Sequence, residues 1–196
     1  MLNKNCVRIY SVIFFICTML VCAMQYQARA AEQPQIYEYQ LKTAFIYNFI
    51  KFTNWPQNRA TASDQSTTQT PLLLTTVGHN NLNNSLKALK GKTASGRKIV
   101  YYHSNDISWD DINSCQVLFV AFDNLDQCIP TIMAVTGKPI LTISDTPGFA
   151  EHGGCIEFCV HEGKLRFIIN RTAIEKQGLE LSYKVYVLAL KVLGEE

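Results

Sequence analysis

The sequence has little charge and no marked excess of either sign. Charged residues make up 17% of the 196 residues, and the formal net charge is +2. Residues 1 to 30 contain three of the 18 basic residues and none of the 16 acidic ones. If they are cleaved as a signal peptide, the formal net charge of the mature protein is −1. Nucleic-acid-binding proteins draw much of their affinity from basic side chains on phosphates. The composition therefore gives no electrostatic case for a nucleic-acid partner.

The sequence also lacks the motifs of common catalytic and metal sites. The first predicted strand ends in Gly78-His79-Asn80-Asn81, without the glycine spacing that wraps a nucleotide phosphate. The four histidines, His79, His103, His152 and His161, are scattered, and no pair has the spacing that places two rings on one metal. No nucleophile can be paired with a base. We therefore predict no enzymatic activity, no metal site and no cofactor.

The first 30 residues have the features of a secretory signal. Lys4 and Arg8 form a basic start, an apolar run extends from Tyr10 to Met24, and Ala28-Arg29-Ala30 is a small-x-small cleavage site. An uncleaved anchor is the alternative, but the interrupted run falls short of the roughly 20 apolar residues that a span needs. We predict a signal peptide over 1–30, export to the periplasm, and a single domain over 31–196.

The stretch from Tyr37 to Pro56 is predicted to be the core-forming helix. Its apolar and aromatic residues recur at spacings of three and four, which is typical of a buried helix face. This face comprises Leu41, Ala44, Phe45, Asn48, Phe49 and Phe52, with Ile46, Tyr47 and Ile50 as a second stripe. The positions predicted to face solvent are Glu38, Gln40, Lys42, Thr43, Lys51 and Thr53. Pro56 ends the helix.

The remainder of the chain predicts an α/β fold. A polar loop over residues 57–70 precedes strands at 71–77, 98–103, 115–122 and 139–144. Helices are predicted between them at 80–90, 106–113 and 123–136, the first and last closed by glycine. Because CQVLFVAF at 115–122 is continuously apolar, it is predicted to be a central parallel strand covered on both faces. Alternating strands and helices indicate a mostly parallel sheet with helices on both faces, a three-layer sandwich.

The end of the chain departs from this alternation. Residues 155–160 and 165–170 are predicted to form an antiparallel hairpin that closes one edge of a sheet of about six strands, with Gly163 in its turn. Two helices are predicted to follow, at 171–177 and 182–193. The second has an apolar stripe that comprises Val185, Leu188, Ala189 and Val192.

Alternation along the hairpin divides its residues between two faces. Ile156, Phe158, Val160, Leu165, Phe167 and Ile169 are predicted to face the core. Glu157, Arg166 and Ile168, with Cys155 and Cys159, then point outward, and Glu157 and Arg166 make a plausible exposed pair. Such a pair contributes little stability. It is therefore as compatible with a solvated face as with a docking surface.

A glycine-rich loop follows the fourth strand. Ser144 and Asp145 begin it, and Gly153 and Gly154 end it. Ligands often bind at the carboxyl ends of parallel strands. These four residues are therefore a candidate ligand site, although turn chemistry that lets the chain reverse into the hairpin accounts for them equally well.

Three separated motifs resemble the YfiR/HmsC-like family of bacterial periplasmic proteins. They are KTAFIYNFIKFTNWP in the first helix, GKPILTISD near position 140, and GGCIEF followed by KLRFIIN near the end. The resemblance covers nearly all of the mature chain. It implies a non-enzymatic protein that binds the periplasmic part of an inner-membrane diguanylate cyclase and represses it, lowering cyclic di-GMP and biofilm formation. It further implies that an OmpA-like outer-membrane lipoprotein sequesters the repressor. A homodimer is left open.

On this hypothesis we expect the partner-binding surface to combine two regions. Tyr47, Lys51, Phe52 and Trp55 form the end of the first helix, and Glu157, Arg166 and Ile168 form the outer hairpin face. The alternative function is a periplasmic small-molecule sensor, with its ligand at the loop from Ser144 to Gly154.

Four cysteines remain after the signal, in a compartment where disulfides persist. Cys155 and Cys159 lie four apart on a strand, roughly 13 Å from each other, too far to pair. The predicted topology favours Cys128 with Cys155 and Cys115 with Cys159, while unpaired buried thiols are the alternative. The resemblance implies a bond from a cysteine placed like Cys115 to the first strand. That strand, PLLLTTV, has no cysteine, so this bond cannot be transferred.

Overall fold

The computed structural model describes residues 18–19, 36–56, 70–78, 81–104, 112 and 114–194. The chain divides into two compact units, Met1–Tyr39 and Gln40–Glu196. In the first, the described residues are helical. The predicted signal peptide, the loop 57–70 and the helix 106–113 lie almost entirely outside the described residues. Within the described ranges, no helix combines the length and apolarity needed to cross a membrane.

Five helices and ten strands are found in the described part of the chain. The helices are α1 (36–51), α2 (Leu82–Leu86), α3 (Leu125–Val135), α4 (Arg171–Lys176) and α5 (Tyr183–Tyr186), and a short 3-10 turn, Lys87–Leu89, extends α2. The first five strands are β1 (Thr53–Asn54), β2 (Leu72–Gly78), β3 (Thr93–Ala94), β4 (Arg97–Ser104) and β5 (Val117–Ala121). The remaining strands are β6 (Leu141–Ser144), β7 (Ile156–His161), β8 (Lys164–Asn170), β9 (Glu180–Leu181) and β10 (Lys191–Leu193).

Eight of these strands form one mixed sheet in the order β10-β8-β7-β6-β5-β2-β4-β3. The pairs from β4 through β2, β5 and β6 to β7 are parallel, whereas β7–β8 and β3–β4 are antiparallel. The predicted α/β class and mostly parallel sheet are confirmed. The sheet has two more strands than expected, because β3 and β10 have only two and three residues and no periodic pattern announces them.

Strand β5 lies near the middle of the sheet, as its apolar run predicted. All five of its residues are buried. On one face, Leu118 and Val120 join a cluster with Cys128 and Ile132 of α3. On the opposite face, α1 packs its aromatic residues against β7 and β8. The layers are therefore helix, sheet and helix.

The aromatic core under α1 has Phe49 at its centre. The Phe49 ring centroid is 4.9 Å from that of Phe167 at an interplanar angle of 72°, and 5.9 Å from that of Phe158. Phe45 is 5.4 Å from Phe167 and lies beside Phe49. Edge-to-face rings at such distances add to the stabilisation from area burial. This cluster fixes α1 on the hairpin.

The buried stripe of α1 is rotated from its predicted position. Lys42 and Thr43 are buried although solvent positions were predicted, whereas Ala44 and Asn48 are exposed although burial was predicted. Thr53 is also buried, and it lies in β1, because the helix predicted to run to Pro56 ends at residue 51. Lys42 is buried because its ammonium binds the Asp145 carboxylate at 2.9 Å. The rotation leaves Ala44 and Asn48 on an open surface of the protein.

The hairpin has the predicted turn but does not close the sheet. Glu162 and Gly163 have φ values of 50° and 70°, the left-handed conformations required by a two-residue turn of this kind. The edge beyond β8 is covered by β10, which runs parallel to β8 with Lys191 opposite Ile168. The prediction that the hairpin forms the edge is therefore wrong.

The predicted helix over 182–193 is also wrong. Only Tyr183–Tyr186 is helical, and the chain then turns so that the Leu190 amide donates to the Phe167 carbonyl at 2.8 Å. The spacing of Val185, Leu188 and Val192 fits a helix. Pairing with β8 satisfies the backbone of this segment instead, which is a tertiary effect that local periodicity does not encode.

Candidate partner-binding surface

The aromatic residues at the end of α1 are held by hydrogen bonds to backbone. The Tyr47 hydroxyl donates to the Thr93 carbonyl at 2.9 Å, and the Trp55 indole donates to the Gln116 carbonyl at 3.2 Å. Both side chains are half-buried. Their polar tips therefore fix the end of α1 against β3 and the start of β5, while part of each ring remains on the surface.

Lys51 and Phe52 form a more open part of this region. Lys51 is exposed, and its ammonium lies 5.5 Å from the centre of the half-buried Phe52 ring. The Lys184 ammonium lies 6.0 Å from the same ring. Cation–π contacts of exposed side chains contribute about 0.5–1 kcal/mol each. The half-buried Phe52 ring thus has two cations close to it.

Glu157 does not belong to the exposed surface, contrary to prediction. Only 5% of the residue is accessible, and its carboxylate accepts hydrogen bonds from the Gly148 and Ala150 amides at 3.2 and 3.0 Å. The loop between β6 and β7 folds back over this face of the hairpin and supplies these donors. Glu157 also lies opposite Ile168, whereas Arg166 lies opposite Cys159. The predicted exposed pair of Glu157 with Arg166 is therefore wrong.

Arg166 is exposed, as predicted, and Ile168 is half-buried. Both lie on the side of β8 opposite to Phe167, which is in the aromatic core. Ile168 pairs with β7 on one side and with β10 on the other, so it lies inside the sheet and not at its edge. Of the three predicted hairpin residues, Arg166 is the one that presents a free charged group to solvent.

An exposed apolar segment in and just after α5 was not predicted from the sequence. Tyr183, Val187 and Leu188 are 78%, 62% and 64% exposed. One end of this segment is tied to α1, where the Ser182 amide donates to the Phe52 carbonyl at 2.9 Å, and its other end is tied to β8 through Leu190. It therefore connects the two regions that had been predicted separately. The signal was present in the run VLAL at 187–190, but it was assigned to the buried side of a helix.

Comparison with known proteins supports one assignment. A family model described as YfiR/HmsC-like matches residues 39–190. The chain belongs to the YfiR/HmsC-like family. A solved structure, described as a conserved domain protein from Vibrio cholerae O1 biovar El Tor, is similar with 16% identity and a TM-score of 0.40. The similarity covers 61% of this chain and 54% of that one, so the chain spans about half of that structure's length. No curated protein matches the sequence.

In this YfiR/HmsC-like chain, the polar groups of the loop after β6 bind the chain itself. The fully buried Ser144 hydroxyl donates to the Val120 carbonyl at 2.7 Å, and Asp145 binds Lys42. Gly154 lies against the Phe149 ring, where a Cβ atom would come within 2.1 Å of ring carbon. Gly153 has φ of +100°, which favours glycine. These contacts give the loop a structural role, and a ligand there stays a prediction.

Cys115, Cys128, Cys155 and Cys159, the cysteines in the part of the chain that the structure describes, are free thiols. Cys155 donates to the Gln177 amide oxygen at 2.9 Å, and Cys128 lies 3.5 Å from the Thr146 hydroxyl. The topological reason for pairing Cys115 with Cys159 is wrong. Phe119 pairs with Ile143, which pairs with Ile156, so these three residues lie side by side across the parallel strands. Cys115 comes before this level and precedes β5, whereas Cys159 comes three residues after it. The two cysteines therefore lie at opposite ends of the sheet.

The described residues also contain no cluster of three or more His, Cys, Asp or Glu side chains that could hold a metal ion. Burial raises the pKa of the Cys115 thiol to about 12 and that of the Cys155 thiol to about 11. Burial, and then the nearby Glu157 carboxylate, raise the pKa of Cys159, which is only partly buried. Thiolate is the reactive form of cysteine, so all of these groups react slowly at neutral pH.

We expect one cysteine of the native protein to react with iodoacetamide at mildly alkaline pH before the others do. Cys159 is accessible and should be modified first, whereas buried Cys115, Cys128 and Cys155 should react only after unfolding. Peptide mass spectrometry of native and denatured samples, without reductant, measures this order. Labelling of no cysteine in denaturant, followed by labelling of all four after reduction, would show disulfides instead.

Proposed function

We propose that this protein is a periplasmic regulator, without catalytic activity, that binds an inner-membrane diguanylate cyclase and represses it. Repression lowers cyclic di-GMP and with it biofilm formation. We further propose that an OmpA-like outer-membrane lipoprotein sequesters the regulator and so releases the cyclase. The observation that carries the proposal is membership of the YfiR/HmsC-like family over residues 39–190, because that family implies a diguanylate cyclase partner.

The surface of the protein offers an interface compatible with this role. Tyr183, Val187 and Leu188 are exposed apolar side chains close together in the sequence, and exposed apolar patches often mark protein–protein contacts. Phe52 with its two flanking lysines borders one end of the segment, and Arg166 lies on the strand next to its other end. An apolar centre with arginine and aromatic residues has the composition typical of interface hot spots.

Such a regulator acts by shifting a population of cyclase conformations. A ligand that binds two states equally shifts nothing, however tightly it binds. Arg166 and the apolar segment must therefore contact a cyclase surface that differs between the inactive and active states. Sequestration by the lipoprotein removes free regulator and returns the cyclase to its own equilibrium.

The alternative of a small-molecule sensor draws less support from the geometry. Its predicted ligand groups, Ser144 and Asp145, are used by Val120 and Lys42. A ligand at this loop would have to displace internal contacts of a buried hydroxyl and an ion pair, each of which costs free energy to break. We therefore favour the regulator.

Deletion of the gene should raise cellular cyclic di-GMP, and expression of the wild-type protein should restore the low level. Arg166→Glu should restore it poorly, because reversing an interface charge weakens binding by about tenfold or more, equivalent to about 1.4 kcal/mol. Arg166 is exposed, so folding should be unchanged. Cyclic di-GMP is quantified in extracts at matched protein levels.

Lys176→Glu is the matched control, since Lys176 is an exposed cation outside the proposed interface. It should restore repression as the wild type does. An unchanged cyclic di-GMP level after deletion would refute the proposed function. Full repression by Arg166→Glu would instead remove Arg166 from the interface.

A further inference from the structure

A groove lies between α1 and α2, because the exposed side of α1 faces α2. Its volume is about 430 Å³. One wall is a continuous stripe of α1, and the other is formed by α2, the 3-10 turn and the residue that precedes β3. The lining residues are Gln40, Thr43, Ala44, Tyr47, Asn48, Ser85, Ala88, Leu89 and Lys92. Ala44 and Ala88 are exposed and small, so the two walls stand apart and leave an apolar floor between them.

One lysine, Lys92, lines this groove, and four others lie on the segments beside it. Lys87, Lys90 and Lys92 lie on and after the 3-10 turn, and Lys98 lies opposite Thr93, whose carbonyl binds Tyr47. Lys51 joins them, because its carbonyl accepts a hydrogen bond from Ser95 in the β3–β4 turn. All five are exposed, and none has a carboxylate partner among the described residues.

This part of the chain is basic to an unusual degree for a near-neutral protein. No aspartate or glutamate occurs in 39–56 or between Asp64 and Asp106. The Asp145 carboxylate, which contacts α1, binds the buried Lys42. Within the part of the chain that the structure describes, the lysines around the groove therefore have no carboxylate partner, and their positive potential adds in the concave space.

We propose that the α1–α2 groove binds an acidic, amphipathic helical segment of a protein partner. Its apolar side chains would contact Ala44, Ala88 and Leu89, and its carboxylates would meet the surrounding lysines. A helix laid in an apolar groove is a recurrent mode of peptide recognition. Gln40 and Asn48 add exposed amide groups that can bind the segment's polar face.

The shape of the site favours a peptide over an anionic membrane. A flat lipid surface would reach the lysines but leave the concave apolar floor unfilled, whereas a helix fills it. Residues 57–69 of the chain itself do not supply such a segment, because they hold one acidic residue, Asp64, and no large apolar side chain. Tyr47 and Lys51 belong both to the groove region and to the candidate partner-binding surface. The inference therefore deepens the proposed function, and it rests on that function where the acidic segment belongs to the cyclase.

The test uses the mature protein and two labelled model peptides. One is an amphipathic helix with leucines at positions i, i+3, i+4 and i+7 and glutamates elsewhere, and the other has lysines in place of the glutamates. Fluorescence anisotropy should show saturable binding of the acidic peptide alone, weakened by salt because the lysines are exposed. Vesicles of phosphatidylglycerol serve as the lipid probe in a co-sedimentation assay.

The triple variant K87E/K90E/K92E should bind the acidic peptide at least about tenfold more weakly. Ala88→Trp should also weaken binding, by filling the groove without changing charge. The triple variant K164E/K176E/K191E makes the same change in net charge at exposed positions outside the groove and should bind normally. Circular dichroism confirms the fold of each variant.

Equal binding of both peptides, or unchanged binding by K87E/K90E/K92E, overturns the proposal. Lysine-dependent binding to the vesicles without binding to the acidic peptide overturns it in favour of a membrane. If the peptide binds as expected but deletion of the gene leaves cyclic di-GMP unchanged, the groove stands and the proposed function fails.

Discussion

Phe49→Ala is expected to lower the free energy of unfolding by about 3–5 kcal/mol, because it removes a large side chain that is 1% exposed. The change also removes edge-to-face contact with Phe167, and such ring pairs contribute about 0.5–1.5 kcal/mol beyond area burial. Urea unfolding followed by circular dichroism should show a lower midpoint with an unchanged slope.

Phe52→Ala is the matched control for this substitution. Phe52 lies one turn further along and is half-buried, so its removal should cost less than half as much. Equal costs at the two positions would contradict the assignment of Phe49 to the centre of the aromatic core. A fall of less than about 1.5 kcal/mol for Phe49→Ala would do so as well.

Asp145→Ala is expected to destabilise the protein by about 3 kcal/mol, because it removes the carboxylate that binds a buried ammonium. The Lys42 side chain is 7% exposed, and its Nζ atom lies 2.9 Å from Asp145 Oδ2. Breaking such a pair costs more than the pair contributes, since one charge stays buried. Thermal unfolding and urea titration should both report the loss.

Replacement of Lys42 by methionine in the Asp145→Ala background should recover at least half of that loss. The neutral side chain fills a similar volume and needs no counter-charge. Asp123→Ala, at an exposed position, should change stability by no more than about 0.5 kcal/mol. If the double variant is no more stable than Asp145→Ala, burial of the Lys42 charge is not the cause.

Much of the fold could be predicted from periodicity and composition. The apolar run that became β5 identified a central strand, and the residues Glu162 and Gly163 marked a tight hairpin. Alternation also placed Phe158 and Phe167 in the core correctly. These features are local, because each follows from side chains within a few residues of one another.

The failures arose where distant segments override local patterns. Glu157 alternates with core residues and would be exposed on an isolated hairpin, but the preceding loop covers it and donates two amides. Residues 187–193 have helical spacing but pair with β8. Lys42 is a polar residue on a helix, and its burial involves an ion pair with a residue 103 positions away.

Prediction of the candidate surface was limited for the same reason. Arg166 and Lys51 are exposed as expected, since long cationic side chains keep their heads in water. The basic groove was not foreseen, although the stretch without acids is visible in the sequence. Its concavity depends on the orientation of α1 against the sheet, which places Lys42 beside Asp145 and the aromatic rings against the hairpin.

The last strand has a consequence for the integrity of the whole sheet. Strand β10 borders β8 over only three residues, from Lys191 to Leu193. A chain cut just before it would bare the backbone of β8, whose unsatisfied amides and carbonyls can recruit a strand from another molecule. Those three residues therefore protect the edge of the sheet. Proteolytic removal of β10 would leave a protein prone to aggregate through edge-to-edge strand pairing.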